Sequence, residues 1–293
     1  MAGLRGMGSL YDEARTALRE FELRPKKRLG QNFLVHERVI ESILRLLDLL
    51  PEDQILEIGP GLGFLTRRLA ERAHQVYAVE IDPKLIAWLK RTSLAAYPTV
   101  RLIHDDILKV RLDQILPDHK VKLVGNLPYS ISTPVLFRLL EWRRHFASLV
   151  LMVQKEVADR IASGPGTKAY GRLSVWCQVH GRIVEKVPVA PEAFFPRPKV
   201  RSTIFKLELY PEPLVGVEDL ARLRGVVRAA FGQRRKTLAN NLAASLKGDR
   251  QDVEAFLRRE QIDPRRRGET LSIDEFIRIT HALKREGMIE ICR

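Results

Sequence analysis

The stretch LEIGPGLGFLTRRL, Leu56 to Leu69, places three glycines between an apolar run and a helical pattern. Glycines at 59, 61 and 63 let the backbone turn sharply and approach a ligand closely, with the amides of the next helix facing that ligand. No Lys-Ser or Lys-Thr pair follows them, which excludes a triphosphate-binding loop. The stretch therefore predicts a strand, a tight ligand-binding turn and a helix.

Around this turn, short apolar runs alternate with helical patterns from about residue 54 to residue 154. The runs have the length and content of strands buried on both faces, and the segments between them have amphipathic spacing. Such alternation predicts an α/β fold with a doubly wound, mostly parallel sheet that binds ligands beyond the carboxyl ends of its strands. The runs are QILEIG (54–59), QVYAVE (75–80), TVRLIH (99–104), VKLVGN (121–126) and SLVLMV (148–153).

Downstream, LSVWCQVHGRIVEKVPV (173–189) and VRSTIFKLEL (200–209) predict two longer strands, antiparallel at one edge of the sheet. The segment YPEPLVG (210–216) predicts a break, because it contains two prolines and a glycine. Four helical patterns follow it and predict a smaller C-terminal helical domain. The predicted boundaries are 1–23 for an N-terminal extension, 24–210 for the α/β domain and 216–293 for the helical domain.

Acidic residues follow two of the predicted strands. Glu80 ends the second strand, where an acid can accept both hydroxyls of a ribose. Asp105 and Asp106 end the third, where one can accept an adenine amino group and the other can cap a helix; the residues alone do not distinguish them. Ile81 and Ile107 could flank the ring. A nicotinamide cofactor fits these residues, and so does S-adenosylmethionine, which has no phosphates.

The composition favours a nucleic-acid partner. The 293 residues include 50 Lys and Arg against 36 Asp and Glu, a net charge of +14, which suits a polyanion. Cys177 and Cys292 are the only cysteines, so we expect no disulfide framework, no metal site and a reducing, cytoplasmic location. No apolar run reaches 18 residues, so no membrane span is expected.

The segment NLPYSIST (126–133) ends the fourth strand in an amide, a proline and a tyrosine. Together with six other segments it resembles the bacterial small-subunit (16S) ribosomal RNA adenine N6,N6-dimethyltransferase family, over about residues 24–285. The Asn-Leu-Pro-Tyr order separates amino-group methyltransferases from most that act on carbon or oxygen. The other segments, in chain order, are KKRLGQNFL (26–34), EIGPGLG (57–63), EID (80–82), DDIL (105–108), AFFPRPKVRST (193–203) and GQRRKTLANNL (232–242).

This resemblance implies a Rossmann-like, seven-stranded class I methyltransferase sheet over residues 24–210 and an RNA-binding helical domain over 216–293. It implies S-adenosylmethionine as the cofactor. It also implies dimethylation at N6 of two adjacent adenines near the 3′ end of 16S rRNA, within the small ribosomal subunit, during ribosome biogenesis. We expect a monomer.

The resemblance also assigns the site. The Asn126 side chain and the carbonyl of Leu127 or Pro128 would accept the two N–H bonds of the adenine amine, which is a poor nucleophile because its lone pair is delocalised. Tyr129 would stack on the base and Phe194 would close its other face. The implied cofactor-binding residues are Gln31, Asn32, Leu34, Gly59, Gly61, Glu80, Ile81, Asp106 (which matches better than Asp105), Ile107 and Asn126.

Three alternatives stay open. A 23S rRNA adenine N6-methyltransferase that confers antibiotic resistance shares the fold, and a non-catalytic RNA-binding assembly factor could be built on it. A nicotinamide oxidoreductase would fit the glycine turn, but this sequence has no candidate acid or base for hydride transfer beside the turn.

The sequence departs from the family pattern at two positions. Many relatives have a smaller residue and a proline where this chain has Phe195 and Arg197. Basic clusters that could hold RNA lie at 24–28, 197–201, 234–236 and 265–267.

Overall fold

The computed structural model describes residues 9–286 and divides them into two compact units. The first unit comprises the described residues up to Ala158 together with Ile183–Leu209. The second comprises Asp159–Arg182 and the described residues from Tyr210 onward, so it includes a segment from within the predicted α/β domain. Residues 1–8 of the predicted extension, residues 287–293 of the predicted helical domain and Cys292 lie outside the described range. None of the helices within residues 9–286 combines the length and apolar character needed to span a membrane.

The first unit is built on a seven-stranded sheet with the strand order β4-β3-β2-β5-β6-β9-β7. Strands β2 to β6 are parallel, and β9 runs antiparallel to β6. This confirms the predicted fold class of a mostly parallel, doubly wound sheet. The elements through β9 are α1 Leu10–Glu20, β1 Phe33–Leu34, α2 Glu37–Leu47, β2 Gln54–Ile58, α3 Phe64–Ala70, β3 Gln75–Glu80, α4 Pro83–Arg91, β4 Val100–His104, β5 Val121–Asn126, α5 Ser132–Glu141, β6 Phe146–Gln154, α6 Lys155–Ala162, α7 Arg172–His180, β7 Gly181–Val189, β8 Phe194–Phe195 and β9 Ser202–Leu209.

The central strands are buried because helices pack on the sheet. Ile55 and Leu56 of β2 and Leu123 of β5 have no exposed surface, which explains why these strands read as continuous apolar runs. In register, Ile58 pairs with Gly125 in β5 and with Val79 in β3. The carboxyl ends of β2, β3, β4 and β5 therefore meet at one edge of the sheet, where a doubly wound fold binds its ligand.

One strand prediction is wrong. The run from Leu173 to His180 is helical, as α7, and the strand begins only at Gly181. The helix begins where the Gly171 amide donates to the Ser174 hydroxyl at 3.0 Å. Almost all of its side chains are buried, so its sequence has no polar face. A short helix buried on all sides cannot be told from a buried strand by periodicity.

The N-terminal extension contains a helix that belongs to the first unit. The Ser9 hydroxyl caps α1 by accepting from the Asp12 amide at 3.3 Å. Ala14, Ala17 and Leu18 are buried and join the hydrophobic core of this unit. The extension, for which the sequence predicted no role, is therefore packed on the α/β unit from Ser9 onward.

The second unit is helical. The helices that follow β9 pack around a core that includes Phe256, Leu257, Phe276 and Ile279. Ser272 and Glu275 form a capping box at the start of the last helix. This confirms the smaller helical region predicted at the C-terminal end. This unit includes α7, and the helices that follow β9 in it are α8 Leu220–Ala230, α9 Leu238–Leu246, α10 Arg250–Arg259 and α11 Ile273–Arg285.

Candidate active site

The glycine turn after β2 forms the floor of a cavity at the carboxyl edge of the sheet. The Gly59 amide donates to the carbonyl of Val79 at 2.9 Å, which ties the turn to β3. Gly61 has φ +57°, and a Cβ there would lie 3.0 Å from the Phe33 ring. Only glycine therefore fits where the turn meets the Gln31–Phe33 segment. The cavity lining includes Gln31, Asn32, Gly59, Gly61, Glu80, Ile81, Asp106, Ile107 and Asn126 with Leu127, Pro128 and Tyr129.

A buried hydrogen-bond network joins the end of β3 to the chain that covers the cavity. Glu80 accepts from the Gly61 amide at 3.4 Å and from the Asp82 amide at 2.9 Å. Asp82 in turn pairs with Lys26 at 2.7 Å and accepts from the Gln31 side-chain amide at 2.9 Å. Residues 26–34, called here the lid segment, are thus fastened to the strand that carries Glu80.

Asp82 and Lys26 are site residues that the sequence reasoning missed. Asp82 also caps α4, since its side chain accepts from the Lys84 amide at 3.1 Å. The Asp-Pro pair at 82–83 is a helix-start signal, but it does not reveal the lid contact. That contact joins residues 56 positions apart in the chain, so only folding makes it visible.

Burial alters the pKa values of the acids around the turn. Glu80 is 6% exposed, and burial raises its pKa although the amides of Asp82 and Gly61 oppose the change. Burial raises the pKa of Glu57 to about 7, and the charge of Glu80 adds to the rise. Burial acts in the same sense on Asp82, but hydrogen bonds from Lys26 and Gln31 outweigh it and lower the pKa. Asp82 is therefore the fixed negative charge of the network.

The Asn-Leu-Pro-Tyr segment begins at the last residue of β5 and faces the cavity. The Asn126 amide nitrogen donates to the carbonyl of Asn32 at 3.0 Å, which leaves its Oδ1 to accept from a ligand. The Pro128 carbonyl accepts from the Ile131 amide at 3.1 Å and so closes a turn. Among the turn, loop and cap bonds of residues 9–286, no backbone amide donates to the carbonyl of Leu127. The geometry thus favours Leu127 over Pro128 as the second acceptor.

The lid segment lies directly on this turn. Gly30 has φ +62°, and a Cβ at this position would lie 3.2 Å from Cβ of Pro128. A larger residue would therefore have to displace the proline, in addition to the strain of its own backbone. The lid glycine explains how the segment comes close enough for the bond between Asn32 and Asn126.

Tyr129 is half-buried and its position is fixed by a hydroxyl pair. The Tyr129 and Ser202 hydroxyls lie 2.8 Å apart, and Ser202 is 1% exposed at the start of β9. Burial raises the pKa of Tyr129, partly offset by the bond to Ser202, so the phenol is neutral at physiological pH. The ring lines the cavity while its polar end is held. Ser202 is a third residue that the sequence reasoning did not single out.

Both aspartates that follow β4, Asp105 and Asp106, line the cavity. Asp105 is exposed and accepts from the Asp106 amide at 2.7 Å, whereas Asp106 is half-buried and accepts from the Leu108 amide at 2.9 Å. Only one oxygen of each carboxylate is engaged in this way. Ile81 is 44% exposed although apolar and lines the same cavity as Gly59, where nothing lies within 4 Å of an added Cβ. Adenine binding by Asp106 stays a prediction.

Two predicted site residues are not brought to the cavity. Leu34 pairs with Phe194 where β1 meets β8, and Phe194 is buried in the core at 2% exposure. Side chains alternate along a strand, so Phe33 and Phe195, paired in the same ladder, point the other way. Phe33 lines the cavity in place of Leu34. A cofactor contact by Leu34 and a base contact by Phe194 stay predictions.

The cavity suits S-adenosylmethionine. It offers an acid at the ribose position, a free space above Gly59 and an exposed isoleucine that an adenine ring would cover. Its glycine turn is followed by no lysine that would bind a phosphate, which fits a cofactor without phosphates. Gly59, Gly61 and Glu80 would hold the adenosyl group, and Gln31 and Asn32 would cover the methionine end.

The parallel sheet and this cavity define a class I methyltransferase that uses S-adenosylmethionine. The family model described as ribosomal RNA adenine dimethylase matches residues 22–285. The chain belongs to this family.

Curated relatives and solved structures agree with that assignment. A ribosomal RNA small subunit methyltransferase A of Alkaliphilus metalliredigens is 45% identical over 92% of this chain and 95% of its own length. A protein of the same name from Clostridium botulinum is 44% identical over 90% and 96%. Among solved structures, a dimethyladenosine transferase from Plasmodium falciparum is 25% identical, with TM-score 0.73 over 86% of this chain and 97% of that one. The 23S rRNA methyltransferase ErmE is 29% identical, with TM-score 0.65 over 86% and 100%.

Proposed function

We propose that this protein transfers methyl groups from S-adenosylmethionine to N6 of two adjacent adenines near the 3′ end of 16S rRNA. The observation that carries the proposal is the meeting of three groups at one cavity. The glycine turn with Glu80 offers a cofactor site, and the Asn126 amide with the Leu127 carbonyl offers two acceptors. The Tyr129 ring stands beside them.

The proposed chemistry is positioning and electrostatics. When bound, the cofactor supplies an electrophilic methyl group on a sulfonium. Asn126 Oδ1 and the Leu127 carbonyl accept the two N6–H bonds, so the nitrogen can pyramidalise and direct its lone pair at the methyl carbon. As the N–C bond forms, the bond between the sulfonium sulfur and the methyl carbon would break and leave a neutral thioether. No strong base is needed, because the amine proton becomes acidic once the nitrogen is alkylated and can pass to water. Tyr129 stacks on the base that has left its helix, a contact worth about 1–3 kcal/mol.

The choice of the small-subunit RNA rests on the relatives. The proteins named small subunit methyltransferase A are 43–45% identical and cover about nine-tenths of this chain. The structurally similar ErmE, named for 23S rRNA, is 29% identical. These figures favour 16S rRNA of the small subunit as the substrate, and resistance methylation of 23S rRNA is the alternative. That the enzyme is a cytoplasmic monomer is part of the proposal and does not rest on these figures.

RNA binding by the basic clusters is also a proposal. The clusters at 234–236 and 265–267 belong to the helical unit, and those at 24–28 and 197–201 belong to the α/β unit. Some members are occupied within the protein: Arg266, for example, pairs with Glu275 and is partly buried. Arg235 and Lys236 are exposed. Exposed members are the candidates for phosphate contacts, and their contribution should weaken with salt.

Mass mapping of methylated nucleotides tests the proposal. The protein is incubated with S-adenosylmethionine and unmethylated small or large ribosomal subunits, and the RNA is then digested and analysed. We expect two adjacent dimethyladenosines in the 3′ region of 16S rRNA and none in 23S rRNA. Methylation of 23S rRNA alone would mean that the protein is a 23S rRNA methyltransferase of the antibiotic-resistance type. No methylation of either RNA would favour a non-catalytic assembly factor.

A further inference from the structure

A large charged groove lies next to the cofactor cavity in the first unit, and the mechanism above does not use it. Its volume is about 1180 Å³, which exceeds the roughly 300–1,000 Å³ of ordinary small-molecule sites. Its walls come from α1, from the chain that leads to the lid segment, from the start of α4 and from the Phe195–Pro196 pair. The size favours a polymer segment over a metabolite.

The groove carries excess positive charge. Its lining includes five cationic and three acidic side chains. One acid, Asp82, is neutralised by Lys26 at 2.7 Å. The remaining acids are Asp12 and Glu22, which four cations outnumber by two. Those four are Arg15, Arg19, Arg24 and Lys84, all of them exposed.

Within the part of the chain that the structure describes, the three arginines of this groove have no side-chain partners. Among residues 9–286, no side chain forms a hydrogen bond or ion pair with the guanidinium of Arg15, Arg19 or Arg24. On the same unit, by contrast, Arg67 binds both oxygens of Glu13, at 2.7 and 3.1 Å. Arg15 and Arg19 are one helical turn apart on the exposed face of α1, so both can reach the same strand of a bound anion. Guanidinium groups bind phosphates through paired hydrogen bonds.

An aromatic surface lies in the same groove. Phe195 is half-buried there, and the ring of Tyr11 meets it edge-on at 5.2 Å. Aromatic rings of this kind stack on the bases of single-stranded nucleic acids. The groove and the cofactor cavity share Gln31, Phe33 and Leu85 in their linings, so they are neighbours across the lid segment. A strand in the groove would therefore be close to an adenine in the cavity.

We infer that this groove binds single-stranded rRNA that flanks the target adenine, with Arg15 and Arg19 on its phosphates and Phe195 against a base. The inference rests on the proposed function, because it needs rRNA as the substrate. It gives a role to the N-terminal extension, and it makes α1 part of the substrate site. Arg15 and Arg19 act in binding the strand and not in the transfer itself.

The test compares three double substitutions of arginine. The first variant is Arg15→Ala with Arg19→Ala, and the control is Arg38→Ala with Arg101→Ala. Arg38 and Arg101 are exposed in the same unit, on α2 and β4, and lie outside the groove. A third variant, Arg15→Lys with Arg19→Lys, keeps the charge. Binding to unmethylated small ribosomal subunits is measured at several salt concentrations, together with the affinity for S-adenosylmethionine and the melting temperature.

We expect the alanine pair in the groove to weaken subunit binding about tenfold near 0.1 M salt. The slope of log K against log salt should become shallower by about 1.4, since each single-strand phosphate contact contributes roughly 0.7. Cofactor affinity and melting temperature should not change, and the control pair should bind within about twofold of the parent. The lysine pair keeps the charge but not the paired hydrogen bonds, so its affinity should lie between those of the alanine pair and the parent, with the salt slope of the parent. If the groove and control pairs lose subunit affinity equally and the parent still methylates 16S rRNA, RNA binding by the groove is disproved while the proposed function stands. A parent that methylates no 16S adenine would overturn the proposed function instead.

Discussion

The cofactor cavity of the first unit and the basic loop of the second hold their charged groups in opposite ways. At the cavity, Glu80 is almost fully buried, and so is Asp82 in the network next to it; each contact of their carboxylate oxygens is to a defined donor. In the loop before α9, Arg234 is 63% exposed and Arg235 and Lys236 are exposed as well. The loop backbone is nevertheless held, because the buried Asn241 bonds to both backbone groups of Gln233 at 3.1 and 3.2 Å.

The difference matches the two proposed functions, methyl transfer in the cavity and RNA binding by the loop. Methyl transfer needs a few groups at fixed positions, and burial with complete hydrogen bonding supplies that rigidity. Binding a folded polyanion needs summed charge, to which each exposed side chain contributes little. Single substitutions should therefore have large effects in the cavity and small effects in the loop.

The largest effect is expected for Asn126→Ala. Loss of one of the two acceptors should slow methyl transfer about 10³-fold, the magnitude seen when one preorganised group at a reacting atom is removed. Single-turnover methylation of small ribosomal subunits measures the rate. Asn240→Ala, which removes an amide in the helical unit, is the control and should be near the parent. A rate for Asn126→Ala equal to that of the parent would disprove the proposed mechanism.

Glu57→Gln should change the pH dependence of stability. The pKa of Glu57 is about 7 in the folded protein against an ordinary 4.5, so the folded state binds its proton more tightly than the unfolded state does. The stabilisation is complete below about pH 4.5 and is lost as pH rises through 7. The glutamine variant cannot ionise and should not lose stability in this way. At pH 8 its free energy of unfolding should exceed that of the parent by up to about 3 kcal/mol.

Urea unfolding of both proteins between pH 4.5 and pH 8 measures that difference. Glu41→Gln is the control, because Glu41 is exposed and pairs with Arg68 and Arg72 at the surface. Parallel stability profiles for the parent and Glu57→Gln would show that the buried carboxyl does not carry the raised pKa.

Glu80→Ala should weaken the cofactor rather than the chemistry. Two hydrogen bonds from ribose hydroxyls to the carboxyl would be lost, at about 1 kcal/mol each, and we expect the Kd for S-adenosylmethionine to rise about 30-fold. Tyr129→Ala should have the converse effect, with slower turnover and little change in Kd. Calorimetric titration and steady-state kinetics measure the two quantities. Equal effects of the two substitutions on Kd would remove the assigned division of roles.

Ser202→Ala should give a smaller, specific loss. Without the hydroxyl pair the Tyr129 ring is less well held, and we expect turnover to fall about fivefold, the value of roughly one neutral hydrogen bond. Tyr129→Phe should lose the same amount, and the double variant should lose no more than either single one. Additive losses would mean that Ser202 acts independently of Tyr129.

The smallest effect is expected for Arg235→Ala in the basic loop. Its loss should weaken binding to small ribosomal subunits about twofold, because an exposed charge contributes at most about 1 kcal/mol. Replacement of Arg234, Arg235 and Lys236 together should weaken binding further and reduce its salt dependence. If Arg235→Ala alone weakened subunit binding tenfold or more, this exposed residue would matter as much as a buried group of the cavity. The difference drawn between the cavity and the loop would then be wrong.

Local patterns carried much of the prediction. The glycine turn, the acid at residue 80 and the Asn-Leu-Pro-Tyr segment each lie within a few residues, and their place at strand ends follows from alternating apolar runs. The structure brings them to one cavity as expected. The failure at 173–180 has the same origin, because a buried helix without a polar face gives no helical period.

Contacts between residues far apart in the sequence could not be predicted from local patterns. The Tyr129–Ser202 pair joins residues 73 apart, and the Lys26–Asp82 pair joins residues 56 apart. The pairing of Phe33 with Phe195 likewise decides that Phe194 lies in the core. The order of residues along this chain is enough to specify its central parallel strands, its glycine turn and the type of chemistry at their carboxyl ends, since these depend on near neighbours. Which side chains lock the lid, orient the tyrosine and line the groove depends on how separate segments pack, and packing exists only in the folded chain.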